Sequence, residues 1–372
     1  MDFEFTDDQL ALRDNARSVL ASSCPPSVVR AVFEGSGASD ELWAALVDLG
    51  WPSLGIDEEH GGLGLGFIEV GIVVEELGRV VAPTPFLATV TQLAPVLRQA
   101  GAAATLAGIA EGTCTGTLAI AERGVWQEDR VAARARRDGS HWVLDGVKHH
   151  VVDGATADEL AVVARVEGGD GGIGAFLVPG GAVTAEPCTV IDPTIPLATV
   201  VLDGVEVDAD RVLLEPGDPQ AAPSVRRALE EATVAMALST TATCRALFET
   251  TLQYAKDREQ FGRPIGSFQA LKHRLADMYL AVERASSLAW FAALTIAEDD
   301  DRRAVATSMA KAASGECQRL LVGDGLQLHG GIGFTWEHDL HFLLKRAKTG
   351  DLLFGTAAAH RAHLAHLLGI AA

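Results

Sequence analysis

Residues 258–269 read Arg258-Glu259-Gln260-Phe261-Gly262-Arg263-Pro264-Ile265-Gly266-Ser267-Phe268-Gln269. This short segment separates long helical stretches. Upstream, Ser224 to Lys256 lacks internal Pro and Gly and is long enough for about nine helical turns. Downstream, Ser267 to Ile296 and Ala304 to Val322 read as two more helices. A glycine loop from Gly323 to Gly333 follows, and His338 to Leu368 is mostly helical. Long antiparallel helices of this kind form a bundle. Arg258 ends the first helix just before a Phe-Gly turn, where a guanidinium can grip a pyrophosphate bidentately. It is equally explained as a solvated Arg favoured by the helix dipole. The glycine loop contains Gln327-Leu328-His329-Gly330-Gly331-Ile332-Gly333-Phe334. Glycines let backbone N–H groups approach a phosphate closely, although most Gly-Gly pairs alone are turns.

Working outward, the 372 residues suggest two or three domains at about 150 residues each. Residues 1–112 read as helical. Thr6-Asp7-Asp8-Gln9 has capping-box spacing, and Ser39-Asp40 starts a helix through Leu49. Trp51 to Gly66 is a glycine-rich loop that includes His60-Gly61-Gly62-Leu63-Gly64. Helix resumes near Phe67 and includes Glu75-Glu76-Leu77-Gly78-Arg79, and Pro83 and Pro85 break the pattern before another helix. Residues 113–217 carry short β-type runs: Gly116–Ala121, His141–Leu144, Leu160–Ala164, Ala175–Val178 and Thr199–Leu202. Turns are expected at Asp138-Gly139, at Asp145-Gly146 and from Gly168 to Gly172. That texture predicts a β-barrel or sandwich. Residues 218–372 form the helical bundle.

Hydrophobic residues make up 48% and charged residues 22%, which excludes disorder as the main state. No run of about 18 apolar residues predicts a membrane span, and the acidic start Met1-Asp2-Phe3-Glu4-Phe5 does not read as a secretory signal. A net charge of -20 argues against a nucleic-acid partner, which needs basic surface. Five scattered cysteines, Cys24, Cys114, Cys188, Cys244 and Cys317, form no CxxC pair. They predict a reduced cytoplasmic chain without zinc or disulfides, each thiol a small buried hydrophobe.

Four segments in order, the His60 loop, Glu75–Arg79, Arg258–Gln269 and Gln327–Phe334, resemble the acyl-CoA dehydrogenase family. So does the order helices, β-domain, helices over essentially the whole chain. The resemblance implies an α+β fold of an N-terminal α-helical domain, a middle β-barrel domain and a C-terminal four-helix-bundle domain. It implies FAD as cofactor, acyl-CoA held between the β-domain and the bundle, and a dimer of dimers. Arg258, Gln260, Phe261, Gln327 and Gly331, with Gly330 beside them, would reach the FAD of a neighbouring subunit. They match the family pattern, so the ADP half of the FAD site is expected intact and donated in trans.

The flavin half departs from that pattern. The family's Thr-Glu-Pro and Gly-Ser-Asp stretch reads Ala121-Glu122-Arg123-Gly124-Val125-Trp126-Gln127-Glu128-Asp129. Its Lys-x-Trp-Ile-Thr-Asn-Gly becomes Lys148-His149-His150-Val151-Val152-Asp153-Gly154. His150 replaces the stacking Trp, and Val152 replaces the Thr that hydrogen-bonds flavin. An imidazole can stack, but valine has no hydroxyl. Alternatively, His149 and His150 are two strand residues, one in and one out.

The chemistry needs a carboxylate base within reach of the substrate α-proton. In Leu353-Phe354-Gly355-Thr356, Phe354 stands where the family's commonest Glu would be. Some members place Glu about seven turns upstream of the Arg. Here that count lands on Ala232, with Glu230 and Glu231 beside it. An offset of one residue turns a side chain by about 100°. Glu231, or Glu230, is the candidate base; otherwise both are helix-N-terminal acids favoured by the dipole. Asp351 is a nearby acid with unmatched spacing.

The leading expectation is an acyl-CoA dehydrogenase subunit that completes the FAD site of a homologous partner in an α2β2 assembly, with lipid or steroid acyl-CoA substrates. The base then lies on the partner. The alternatives are a self-sufficient homotetramer using Glu231 or Glu230 with His150 near flavin, other flavin chemistry on the same fold, and a non-catalytic structural subunit. The acyl group and the electron acceptor stay open.

Overall fold

A computed structural model describes residues 4–37, 40–167 and 172–370. The expected helix start at Ser39, and the expected turn from Gly168 up to Gly171, lie outside the described residues. The helices begin with α1 (Asp7–Ser23), α2 (Pro26–Phe33), α3 (Asp40–Asp48) and α4 (Phe67–Arg79). Then α5 (Phe86–Ala88) runs through a π-turn, Thr89–Leu93, into α6 (Ala94–Ala100), and α7 (Ala103–Ala110) follows. The strands are β1 (Gly116–Ala119), β2 (Arg134–Asp138), β3 (His141–Val152), β4 (Glu159–Val166), β5 (Ile173–Pro179), β6 (Thr184–Pro187), β7 (Leu197–Val207) and β8 (Val212–Leu214). After them come α8 (Ala221–Asp257), the hairpin β9 (Glu259–Gln260) and β10 (Arg263–Pro264), α9 (Gln269–Ala297), α10 (Arg303–His329), α11 (Leu340–Leu352) and α12 (Ala357–Leu367).

The chain divides into two compact units. The helical unit comprises Met1–Ala38, Phe67–Pro83 and Thr233–Ala372. Its core joins α8 (Cys244, Leu247), α9 (Met278, Val282), α10 (Cys317, Leu321) and α11 (Leu340, Ala347), so four helices share one apolar interior. The α1 start carries the capping box: Thr6 Oγ1 accepts from Gln9 N at 3.2 Å, and Gln9 Oε1 accepts from Thr6 N at 3.0 Å. The Glu75–Arg79 segment ends α4. A Cβ on Gly78 would lie 2.6 Å from the carbonyl oxygen of Ser239, so only glycine lets α4 approach α8 this closely. Thr243 Oγ1 seals the contact by donating to Gly78 O at 2.8 Å. By length and composition alone α9 could cross a membrane, yet its Leu275, Met278, Val282 and Ala285 lie in the bundle core.

The β-rich unit comprises Ser39–Gly66 and Thr84–Ala232. Its eight-stranded sheet follows the order β6-β7-β3-β2-β4-β5-β8, with β1 pairing β4. Three strand steps separate β3 from β5, about 14 Å in a flat sheet. Yet the rings of Trp142 on β3 and Phe176 on β5 lie 5.7 Å apart, so the sheet curls around its own core like a barrel.

Two expectations are corrected. The glycine stretch from Gly323 is not loop: α10 continues to His329, because Leu328 and His329 stay buried and Gly325 fits close against Leu247 and Thr251. Asp145-Gly146 is not a turn: it lies inside β3 as a register irregularity between Leu144 and Gly146. Cys24, Cys244 and Cys317 are buried as expected, whereas Cys114 and Cys188 are only half-buried, and all five are free thiols.

Candidate functional site

Each unit carries its own group of candidate residues. In the helical unit, α8 ends at Asp257, and Arg258 leads into a hairpin whose register pairs Gln260 with Arg263. The two-residue turn is Phe261-Gly262, both with positive φ (55° and 75°), as the tight twist of a two-residue hairpin demands. Glycine accepts that φ freely; phenylalanine does so only with strain. Phe261 is also 92% exposed, so a strained apolar ring is held out in solvent. Arg258 is exposed and pairs with no carboxylate among the described residues. The Gln260 side chain turns back on its own strand, Nε2 donating to Glu259 O at 2.7 Å.

Gln327 is exposed in the last turn of α10. The helix stops at Gly330 (φ 59°, ψ -139°), a region open in practice to glycine alone. A Cβ on Gly331 would meet nothing within 4 Å. Packing within the protomer therefore gives no reason for that glycine, and the space beside it is open. The two segments are joined through Tyr254, one turn before Arg258: its ring stacks on His329 with centroids 4.4 Å apart and planes at 22°. Sequence reasoning missed both partners of this stack, although His329 lay within the quoted motif.

The same unit holds the Leu353–Thr356 turn. Phe354 adopts φ 59° and Gly355 φ 100°. Lys311, fully buried, donates to Asp351 O at 3.0 Å and Gly355 O at 2.8 Å. His360 Nε2 donates to Phe354 O at 2.8 Å. Two backbone carbonyls of the turn, and that of Asp351 at the end of α11, are thus held by side chains of α10 and α12. Burial pulls Lys311 down to about 7 against the opposing pull of Asp351. Burial likewise takes His360 down to about 4. The turn keeps a defined shape, but its side chain is an apolar ring that accepts no proton. Asp351 is occupied as well, with Lys348 Nζ at 3.1 Å.

In the β-rich unit, Glu122 lies just beyond β1. Its carboxylate takes Lys148 Nζ at 2.5 Å and the N–H groups of Ala132 and Ala133, each at 2.9 Å. Burial pulls Lys148 down to about 8, with Glu122 opposing. Burial pushes Glu122 up, but the Lys148 charge and the N–H bonds outweigh it and hold the carboxyl below its ordinary value. Both residues were in view in the sequence; their pairing was not. His149 and His150 sit in a second irregularity of β3, between Lys148 and Val151. His150 has φ 54°, is exposed, and stacks on Trp126 with centroids 6.1 Å apart and planes at 28°. Val152 is buried and brings no hydroxyl.

Glu230 and Glu231 are both buried near the start of α8. Arg98 is ion-paired with Glu231 Oε2, and Arg227 Nε lies 3.4 Å from Oε1. Arg98 also donates to Gly55 O at 3.1 Å. Both carboxylate oxygens of Glu231 therefore face guanidinium groups, which suits an ion-paired anchor better than a proton acceptor.

Residues 6–117 match the model of the acyl-CoA dehydrogenase N-terminal domain, and residues 222–368 that of the acyl-CoA dehydrogenase C-terminal domain. The acyl-CoA dehydrogenase IpdE2 of Mycobacterium tuberculosis is 32% identical over 346 residues, covering 92% of this chain and 91% of that protein. The chain belongs to the acyl-CoA dehydrogenase family. Two solved structures extend the likeness. The ChsE4-ChsE5 complex from Mycobacterium tuberculosis gives a TM-score of 0.90 at 26% identity, with 100% of both chains covered. A Tcur3481-Tcur3483 steroid ACAD variant gives 0.87 at 30% identity, covering 98% of each. This acyl-CoA dehydrogenase chain is thus an oxidoreductase of a FAD-dependent family. Its residues fit the cofactor unevenly. The unpaired Arg258, the exposed Gln260 and Gln327 and the open space at Gly331 fit the ADP half. Val152, and a His150 already stacked on Trp126, do not reproduce the flavin half.

Proposed function

We propose that the chain is one subunit of a heteromeric acyl-CoA dehydrogenase in which it lends the ADP half of the FAD site to a homologous partner. Arg258, Gln260, Phe261, Gln327, Gly330 and Gly331 hold that half in trans. The carrying observation is the contrast between the two groups. Arg258 has no carboxylate partner among the described residues, and Phe261 is strained and exposed, both consistent with an absent neighbour. The base position holds Phe354 in a turn fixed by Lys311 and His360, and Glu231 is engaged by Arg98 and Arg227. The base then belongs to the partner. On this reading residues 1–112, 113–217 and 218–372 act as three domains.

FAD, when bound, supplies the hydride acceptor for α,β-dehydrogenation. This chain's own residues bind and orient. Arg258 would present a planar positive fork to the pyrophosphate, Gly330 and Gly331 would leave room for close backbone approach, and the apolar Phe261 would offer a surface to the neighbouring chain. The likeness to the two-protein ChsE4-ChsE5 and Tcur3481-Tcur3483 structures supports a heteromeric assembly. The likeness to the Tcur3481-Tcur3483 steroid ACAD supports a steroid-derived acyl-CoA as substrate class.

The test is purification of a tagged chain from its own host. A second, homologous chain with Glu at the Tyr-Glu-Gly-Thr position or on the long helix should co-elute in equal amount, and the pair should oxidise acyl-CoA. Elution as a catalytically active homotetramer would overturn the reading and return Glu231 and Glu230 as candidate bases, with His150 near flavin.

A further inference from the structure

We infer that the Tyr254–His329 stack is the positioning element that sets the two trans-FAD segments at their working separation. The inference rests on the reading of Arg258 and Gln327–Gly331 as the ADP half.

Arg258 follows Tyr254 by one helical turn, and its N–H donates to Tyr254 O at 2.8 Å. Gly330 directly follows His329. Among the described residues, the one ring that Tyr254 meets is His329, at 4.4 Å, and Tyr254 Oη also reaches His329 O at 3.4 Å. The imidazole is fixed on its own helix: a carbonyl only accepts, so Nδ1–H must donate to Gly325 O, at 2.8 Å. His338 packs against the same imidazole, with centroids 5.3 Å apart and planes at 76°. His329 is 3% exposed, and its Nε2 has no hydrogen-bond partner among the described residues. A buried ring nitrogen without a partner is unfavourable, so satisfying hydrogen bonds does not account for an imidazole here. What the ring provides is a flat face for Tyr254 and a single Nδ1 tether that fixes its plane. Rotating or removing it would let the Phe261 hairpin and the Gly330 turn drift apart, and a ligand held by both would lose one set of contacts.

The experiment uses the tagged native assembly stripped of flavin and titrated with FAD, read by quenching of flavin fluorescence, with melting temperature measured alongside. His329→Ala and Tyr254→Leu should each raise the FAD Kd on the order of tenfold. His329→Phe and Tyr254→Phe, which keep the stacked rings, should stay within about threefold of wild type. Leu321→Ala, in the same helical core, should lower the melting temperature without changing the Kd. The inference is overturned if Arg258→Ala weakens FAD while His329→Ala and Tyr254→Leu do not. It is also overturned if Leu321→Ala shifts the Kd as much as they do, since general loosening would then explain everything. If Arg258→Ala too leaves the Kd unchanged, the reading of the ADP half falls and this inference with it.

Discussion

Glu231 and Arg98 form an ion pair inside the β-rich unit, and Arg227 engages the carboxylate's other oxygen at 3.4 Å. A general base needs an unengaged lone pair facing substrate, and this carboxylate has both oxygens committed. Glu231→Gln should therefore leave kcat/KM of the assembly within about twofold, since a lost general base would show as 10²-fold or more. The same change should reduce stability by roughly 1–3 kcal/mol, less than for a fully buried pair because Arg98 keeps contact with water. Steady-state kinetics and urea unfolding read the two effects separately. A hundredfold loss of turnover with an intact fold would make Glu231 the base.

Arg258 carries the opposite signature, a guanidinium that pairs with no carboxylate among the described residues. Arg258→Ala should weaken FAD retention by roughly 10- to 100-fold, the range for losing a charge-assisted hydrogen bond. Arg258→Lys should recover little, because an ammonium does not reproduce the planar fork. Flavin released on dilution of the assembly, measured by fluorescence, gives the ratio directly. Equal retention in all three proteins would remove Arg258 from the cofactor site.

Lys311 makes stability depend on pH in a definite direction. Its folded value, about 7, lies below the ordinary 10.5, so between those limits the unfolded chain binds more protons. Stability contributed by this site therefore rises with pH from about 7 toward 10.5, by at most about 1.4 kcal/mol per pH unit. Comparing wild type with Lys311→Met cancels the other titrating groups. The stability of wild type relative to the variant should climb between pH 7 and 9 in denaturant titrations. A flat difference would mean that Lys311 stays charged across that range.

Gly78 tests the packing of α4 on α8. Gly78→Ala would place a methyl group 2.6 Å from a backbone oxygen that cannot swing aside. A loss of about 1–3 kcal/mol is expected from overpacking, against the small gain alanine brings to a helix interior. A neutral or stabilising result in urea unfolding would mean that the two helices lie further apart.

The long helices were legible because Pro and Gly are absent from Ser224 to Lys256 and mark its end, and α8 runs from Ala221 to Asp257. The end of α10 was not, since Gly323 and Gly325 read as loop residues. Gly325 is there for close helix contact, and that reason lies in Leu247 and Thr251, far away in sequence. Asp145-Gly146 failed similarly: turn chemistry and a strand irregularity use the same residues. Within the candidate site, residues carrying the family motif could be picked out singly. The relations between them could not. Nothing local tells that Lys148 meets Glu122, that Arg98 reaches Glu231 across 133 positions, or that Tyr254 faces His329. Buried pairings of this kind are set by tertiary packing.

The central claim is that this chain holds half a cofactor site. The most direct measurement is the visible absorbance of the purified chain, alone and in its native assembly. The account predicts a chain nearly colourless by itself, with flavin well below one per protomer, and a yellow assembly with its partner. Stoichiometric flavin on the chain alone would contradict it, since the chain would then build complete sites from its own residues.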